Sequence, residues 1–487
     1  MPVKPLSNWL GFKEGQHMQN PVDWVPDLSE TKGPMYKRIA QTLIQDIRSG
    51  KLKPGDQLPS NRRLSSQLGV TVGTVSRAFG EVVRTKLLET GARRGTHVKD
   101  PAAADAKEAA TSGVTARNRM ADFRGHQAVL KRWGNDIGQA LSQLHQSPAF
   151  GELLRYDDPA GRAAHRQAGA QWLSRNATTP VDPARVIVTD GAQHALLCGL
   201  LACSKAGDYV ATEQLTYTGL RTLAPRLGLK LVPIDIDEQG LVPDSLREAI
   251  AAHPIKGIVC VPNIHNPTTT TMPAGRRMEI ADIAKQAGIF LLEDDVYGCL
   301  TETQLPTLAS LAPELTIRIT SFSKSLGPGL RVGFMETPRQ LVAAVTGAVR
   351  ATTWMASPIT AEVAAQLVTS GRAEHVLQEN RVELRERNDA LRQALTGFDI
   401  RTSAFSPHAW LRLPDPWTAT QFCRRVETMG YQISPSEAFA ASPPGLDKAV
   451  RISVSAAQDT AELRMFGRLI AEILSEEPQL SSVGIYP

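Results

Sequence analysis

The order of elements written into this 487-residue chain predicts a multidomain protein. A small helix–helix–helix–hairpin unit comes first, then a larger α/β unit with a mostly parallel sheet, then a small α+β segment. Three observations predict it. Basic residues crowd the first hundred positions, helical and β-branched stretches alternate through the middle, and short strands mix with one amphipathic helix near the end.

Bulk composition agrees. Hydrophobic residues at 42% and charged residues at 21% are globular values in a chain long enough for several cores. No apolar run approaches the roughly 18 residues of a membrane span, and MPVKPLSNWLGFKEGQ lacks the apolar centre of a secretory signal. The five cysteines (Cys198, Cys203, Cys260, Cys299, Cys423) make neither a metal-ligand spacing nor a disulfide framework. The expectation is a cytoplasmic protein with reduced thiols and no membrane partner. Charge is unevenly placed: thirteen Lys/Arg against four Asp/Glu between Gly33 and Lys99 give that stretch +9, so the formal total of +5 leaves −4 elsewhere. A basic module on a mildly acidic body points to a nucleic acid.

Residues 1–33 read as a polar leader, and the first unit spans 34–99. Tyr36, Ile39, Ala40, Leu43 and Ile47 share a helical face that ends at Gly50. After a turn at Pro54-Gly55, Ser60 is placed to cap a helix carrying Leu64 and Leu68 and closed by Gly69. Thr71 is placed to cap a third, with Val75, Phe79 and Val83 on one side. Two β-prone pieces follow, Leu88-Glu89-Thr90 and Thr96-His97-Val98. This order is a winged helix-turn-helix, whose third helix enters the major groove of duplex DNA. Thr71, Thr74, Ser76 and Arg77 then face phosphate or base, Arg62 and Arg63 reach the backbone, and Arg93 and Arg94 at the hairpin tip reach a neighbouring minor groove.

Residues 100–119, rich in Ala, Ser, Thr and charge, read as a linker. The body from 120 to 389 alternates helices with runs such as Arg185–Thr189, Gly257–Val261, Ile289–Leu292 and Ile317–Thr320, as a parallel sheet requires. A small α+β subdomain is expected over 390–478, with strands at Ala409–Leu413 and Val450–Val454, a helix at Thr460–Leu474, and a tail at 479–487.

The richest stretch is Ser321-Phe322-Ser323-Lys324-Ser325-Leu326-Gly327-Pro328-Gly329-Leu330-Arg331-Val332-Gly333. A β-branched strand ends there in hydroxyls, a lysine, a glycine-rich turn and an arginine. Ligands bind at the carboxyl edge of α/β sheets, and hydroxyls with an arginine suit a phosphate. A partly desolvated lysine between them can form an imine with an aldehyde.

These motifs carry two resemblances. GKLKPGDQLPSNRRLSSQLGVTVGTVSRAF resembles the GntR family of bacterial regulators through Gly50, Leu52, Pro54-Gly55, Leu58-Pro59-Ser60, Arg62, Leu64, Leu68-Gly69-Val70, Thr74-Val75 and Phe79. Val72 stands where that family often has arginine. Residues 120–478 resemble the fold type I aminotransferases, whose cofactor is pyridoxal 5'-phosphate. The resemblance implies a Schiff base on Lys324, with Asp294 on the ring nitrogen, and Tyr297 and Asn266 on the ring oxygen. It implies Tyr217 stacked on the ring. Around the phosphate it implies the backbone at Ala192 and Gln193, the side chains of Ser321, Ser323 and Arg331, and Tyr156 from a neighbouring subunit. Arg451 would grip an α-carboxylate. Two departures stand out: Ala192 replaces a frequent serine, and Thr269 replaces the glycine of Asn-Pro-Thr-Gly. His194 and His265 read as structural neighbours of the motifs.

Together the two parts resemble the MocR subfamily of GntR-type transcription regulators, a winged helix-turn-helix fused to an aminotransferase-like domain. That layout implies a homodimer binding a double-stranded DNA operator and sensing an amino acid or amine effector. The competing expectation is an active aminotransferase that carries a DNA-binding domain, for which Lys324, Asp294 and Tyr297 would be catalytic.

Overall fold

The computed structural model describes residues 22, 24–29, 31, 33–53, 55–84, 87–91, 95–98, 120–126, 134–175, 177–442 and 448–476. The chain divides into two compact units, Met1–Arg119 and Met120–Pro487. Arg93, Arg94, the expected linker and the expected tail lie outside the described residues, as does most of the leader.

The first unit holds α1 (Met35–Arg48), α2 (Asn61–Leu68), α3 (Val72–Arg84) and an antiparallel hairpin, β1 (Leu88–Gly91) with β2 (Gly95–Val98). Its helices start and stop where local chemistry directs. The Ser60 side chain accepts the Arg63 N–H, satisfying one of the orphan amides of α2, and Gly69 ends that helix at φ 63°. Thr71 Oγ1 does the same for the Thr74 N–H at 3.2 Å. Ile39 and Leu43 of α1, Leu64 of α2, and Val75, Ala78, Phe79 and Val82 of α3 bury one core with Leu88 and Val98 of the hairpin. This unit also begins before residue 34. Trp24, read from the sequence as part of the leader, is buried in that core, and its Nε1–H donates to Asp46 Oδ2 at 2.8 Å. A stretch with two prolines among its apolar residues makes no periodic signal, so this burial is not legible locally.

The second unit is built on a seven-stranded sheet. In spatial order its strands are Val186–Thr189, Gly333–Glu336, Thr316–Ser321, Phe290–Asp294, Ile255–Cys260, Tyr209–Glu213 and Lys230–Ile234. Every pairing is parallel except the two made by Gly333–Glu336. Thr316–Ser321 and Phe290–Asp294 are buried at every position, and the charged groups among them, Arg318, Glu293 and Asp294, lie inside the protein with the apolar ones. The second core of this unit gathers Leu411, Phe422, Val450, Ile452 and Phe466 around an antiparallel sheet, with Phe123 against them. Residues 121–123 therefore belong with the C-terminal subdomain: Ala121–Asp122 pairs in parallel with Tyr431–Gln432, more than three hundred positions away. A two-residue strand carries too few residues to announce a partner. Among the described residues no helix is long and apolar enough to cross a membrane.

Candidate functional site

A cavity of about 120 Å³ opens where the parallel strands of the large sheet end at their carboxyl edge. Ala192, Gln193, Tyr217, Asn266, Asp294, Tyr297, Ser321, Ser323, Lys324 and Arg331 all line it, with Val261, Val296 and Pro328. Ten of the side chains singled out in the sequence, drawn from positions 192 to 331, thus converge.

One end of the cavity suits an anion. Strand Val186–Thr189 turns at Gly191 into helix α4 (Ala192–Cys203), whose first-turn amides have no partner inside the helix. Gly191 sits at φ 85°, a conformation that calls for glycine, and a Cβ there would lie 2.9 Å from Arg331 Nη2 and push that guanidinium aside. Arg331 is itself left-handed, at φ 52°, and is pinned by its bond to the Asp190 carbonyl at 3.0 Å. Ser321 Oγ is buried with no hydrogen-bond partner among the described residues. An arginine, an orphaned hydroxyl and a helix N-terminus together match a phosphate, with or without a side-chain hydroxyl at 192.

The opposite end suits a cation. Asp294 ends strand Phe290–Asp294 fully inside the protein, and its Oδ1 also lacks a partner among the described residues. Burial pushes its carboxyl up to about 7, against the Val296 N–H and the Lys324 charge, which favour ionisation. Asp295 does something else: Arg318 Nε reaches its Oδ2 at 3.0 Å and Asn263 Nδ2 its Oδ1 at 2.6 Å, so that carboxylate is already consumed. Lys324 is held between the two ends. Burial, with Arg451 nearby, brings its ammonium down to about 8, so the amine is far more often neutral than an exposed lysine at the same pH. Asn380 Nδ2 donates to the Lys324 carbonyl at 3.3 Å and fixes the turn.

Arg451 stands beside this cavity on strand Ala449–Ser453. Its Nη1 donates to Asn266 Oδ1 at 2.7 Å, and its guanidinium lies 4.5 Å over the Phe439 ring. It makes no ion pair among the described residues, although burial brings its pKa down to about 10 and leaves it charged at neutral pH. A buried cation without a carboxylate is costly, which suits a site awaiting an acidic ligand. Two histidines outside every motif stand behind Tyr297. His126 Nδ1 lies 3.0 Å from the Tyr297 hydroxyl, and the His126 ring stacks on His408 at 4.6 Å. Burial, with Arg451 close by, holds both far below the usual histidine range, so both are neutral. Neither belongs to a motif, and their approach across 282 positions leaves no local signal. His194 and His265 bond within the frame, to Thr352 and Thr268.

The turn after Asn266 keeps the geometry of the missing glycine. Thr269 adopts φ 66°, a conformation that costs a β-branched residue about 1–2 kcal/mol. Thr269→Gly is expected to stabilise the protein by about 0.5–1 kcal/mol after the greater chain entropy of glycine is counted. Chemical denaturation checks this; a loss of stability would show that the threonine contacts outweigh the strain.

Other predicted positions lie elsewhere. Tyr156 is 81% exposed, outside the cavity of its own chain, with its ring 5.6 Å from Trp354. In the first unit Arg62, Arg63, Thr71, Ser76 and Arg77 are exposed and Thr74 half-buried. Thr71 and Thr74 bond each other at 2.9 Å, and the Arg77 guanidinium rests 4.0 Å over the Tyr36 ring.

The residues present therefore fit pyridoxal 5'-phosphate, with an anion cradle at one end, an orphaned acid at the other and a desolvated lysine between. The comparisons agree with the architecture. Residues 35–98 match the gntR family of bacterial regulatory proteins, and residues 118–470 match the class I and II aminotransferases. An uncharacterized HTH-type transcriptional regulator of Bacillus subtilis, YdeF, is 30% identical over 98% of this chain and all of its own. The vitamin B6 salvage pathway transcriptional repressor PtsJ of Salmonella typhimurium is 26% identical, over 88% of this chain and 96% of its own. Among solved structures, an archaeal alanine:glyoxylate aminotransferase superposes with a TM-score of 0.69 at 21% identity, covering 78% of this chain and 96% of its own.

Proposed function

Because the chain belongs to the MocR-type regulators, a GntR-family winged helix followed by a class I and II aminotransferase domain, we propose that it is a transcription regulator that holds pyridoxal 5'-phosphate on Lys324 and senses an amino acid or amine. The observation that carries the cofactor reading is the buried, unpartnered Asp294 Oδ1 in the same cavity as Lys324. Such an acid is costly alone and becomes favourable opposite a cationic ring nitrogen.

When bound, the cofactor supplies an aldehyde conjugated to an electron-withdrawing ring, which captures primary amines. The protein's own residues do the rest. Arg331, Ser321, Ser323 and the first amides of α4 hold the phosphate. Asp294 would keep a proton on the ring nitrogen, Asn266 and Tyr297 would take the ring oxygen, and Tyr217 would stack on the ring. Lys324 would hold the aldehyde through its amine, which burial makes more often neutral than that of an exposed lysine. Arg451 receives the ligand carboxylate in a bidentate pair. The winged helix binds duplex DNA through Arg62, Arg63, Thr71, Thr74, Ser76 and Arg77, with Arg93 and Arg94 adding to its positive charge. Exposed Leu154, Tyr156 and Trp354 suit the face of a homodimer, in which Tyr156 reaches the partner's phosphate.

The test uses the full chain loaded with cofactor, a DNA duplex selected from a random pool, and a panel of amino acids and amines. For a regulator, one compound is expected to change the DNA Kd by at least about fivefold, a coupling of about 1 kcal/mol. Sustained conversion of a keto acid partner with an unchanged Kd would instead establish an aminotransferase.

A further inference from the structure

We propose that residues 120–126 form a latch that a ligand carboxylate displaces, carrying the state of the cavity to the chain that leads back to the winged helix. This inference rests on the reading of the cavity as a site for an amino acid and pyridoxal 5'-phosphate.

The latch is a run of backbone carbonyls. Phe123 O accepts the Ser453 N–H at 2.8 Å, Arg124 O accepts Arg451 Nη2, Gly125 O accepts Ser453 Oγ at 2.7 Å, and His126 O accepts Lys324 Nζ at 3.2 Å. Two of these four donors, Arg451 and Lys324, are the cationic groups that the proposed function needs for ligand and cofactor. The one latch side chain in the site, His126, adds its contacts with Tyr297 and His408.

The competition has a definite direction. A neutral carbonyl holds one arm of a buried guanidinium, whereas a carboxylate offers two charge-assisted bonds, each about twice as strong. Arg451 has no acidic partner among the described residues to lose. Covalent use of Lys324 Nζ by the cofactor would remove the donor that His126 O now has, so in the loaded chain the Arg451 bond is the one that a ligand carboxylate contests. What remains is the pair of bonds from Ser453, its N–H to Phe123 O and its Oγ to Gly125 O, and a short anchorage, Ala121 N–H to Gly430 O and Phe123 N–H to Gln432 O, both 2.8 Å. Residue 120 follows directly on the first unit, which ends at Arg119, so any movement of the latch acts on the only covalent route between the units.

Hydrogen–deuterium exchange on the full cofactor-free chain tests the latch with two reduced probes. N-(5'-phosphopyridoxyl)-L-alanine carries the carboxylate; N-(5'-phosphopyridoxyl)-ethylamine lacks it. The alanine compound is expected to speed exchange of the Ala121 and Phe123 amides about tenfold or more, and the ethylamine compound to leave them slow. Equal exchange with both compounds bound would overturn the latch and leave the cofactor reading standing. Failure of either compound to bind, read by quenching of protein fluorescence in the same samples, would remove both. Ser453→Ala, which deprives Gly125 O of its donor, is expected to raise exchange across 120–126 several-fold without any ligand. Unchanged exchange in a folded variant would count against the latch.

Discussion

Lys324→Ala is expected to abolish the visible absorbance that pyridoxal 5'-phosphate gains when joined to a protein amine, while circular dichroism stays native. Lys324 lies in the cavity with its amine drawn down to about 8, and among the described residues no second lysine lines that cavity. The side chain is half-buried and does not fill a core, so its loss removes a desolvated cation more than packing. The phosphate cradle of Arg331, Ser321 and α4 is untouched, so the variant is expected to retain cofactor loosely and release it on dialysis. A visible band that survives the substitution would remove Lys324 as the anchor. DNA binding by the loaded variant, measured alongside, is expected to stop responding to amines while retaining its basal affinity.

Asp294→Asn is expected to act in opposite directions on stability and on cofactor. The Asp294 carboxyl titrates at about 7 in the folded chain against an ordinary 3.8. A raised acid pKa means the folded state disfavours the ionised form. The penalty is absent below about pH 4, grows as pH rises, and is complete above pH 7. A shift of that size corresponds to about 4 kcal/mol at most. Without cofactor, the asparagine variant is therefore expected to be more stable than the parent at pH 8 by up to a few kcal/mol. The gap should close toward pH 4. With cofactor the order reverses: the carboxylate gains a ring cation, and the variant is expected to bind roughly a hundredfold more weakly, about 2.7 kcal/mol. Thermal unfolding across pH, with and without cofactor, reads both. A stability gap independent of pH would mean that Asp294 is not the titrating group.

These two residues also show how much was legible in advance. Lys324, Ser321, Ser323 and Arg331 lie within eleven positions at the end of one strand, so a single strand and turn assemble them. The winged helix was legible for the same reason, since Ser60, Gly69 and Thr71 each cap or close a helix through bonds to near neighbours. Asp294 and Asp295 are a different matter. Spacing to Tyr297 favours the first, but what separates them physically is Arg318, which belongs to the next strand and takes the second.

The sequence by itself determined the elements, their order, and the motif that places a lysine between an anion cradle and an acid, because those depend on periodicity and short-range bonding. Only the tertiary structure decided what surrounds the motif. It set Arg451 against Asn266 and the Arg124 carbonyl, stacked His126 on His408, and buried Trp24 in the first unit. Each of these contacts joins segments whose own patterns are complete without the other. Their pairing is fixed by how sheets stack and strands register, so it becomes visible only when the chain is folded.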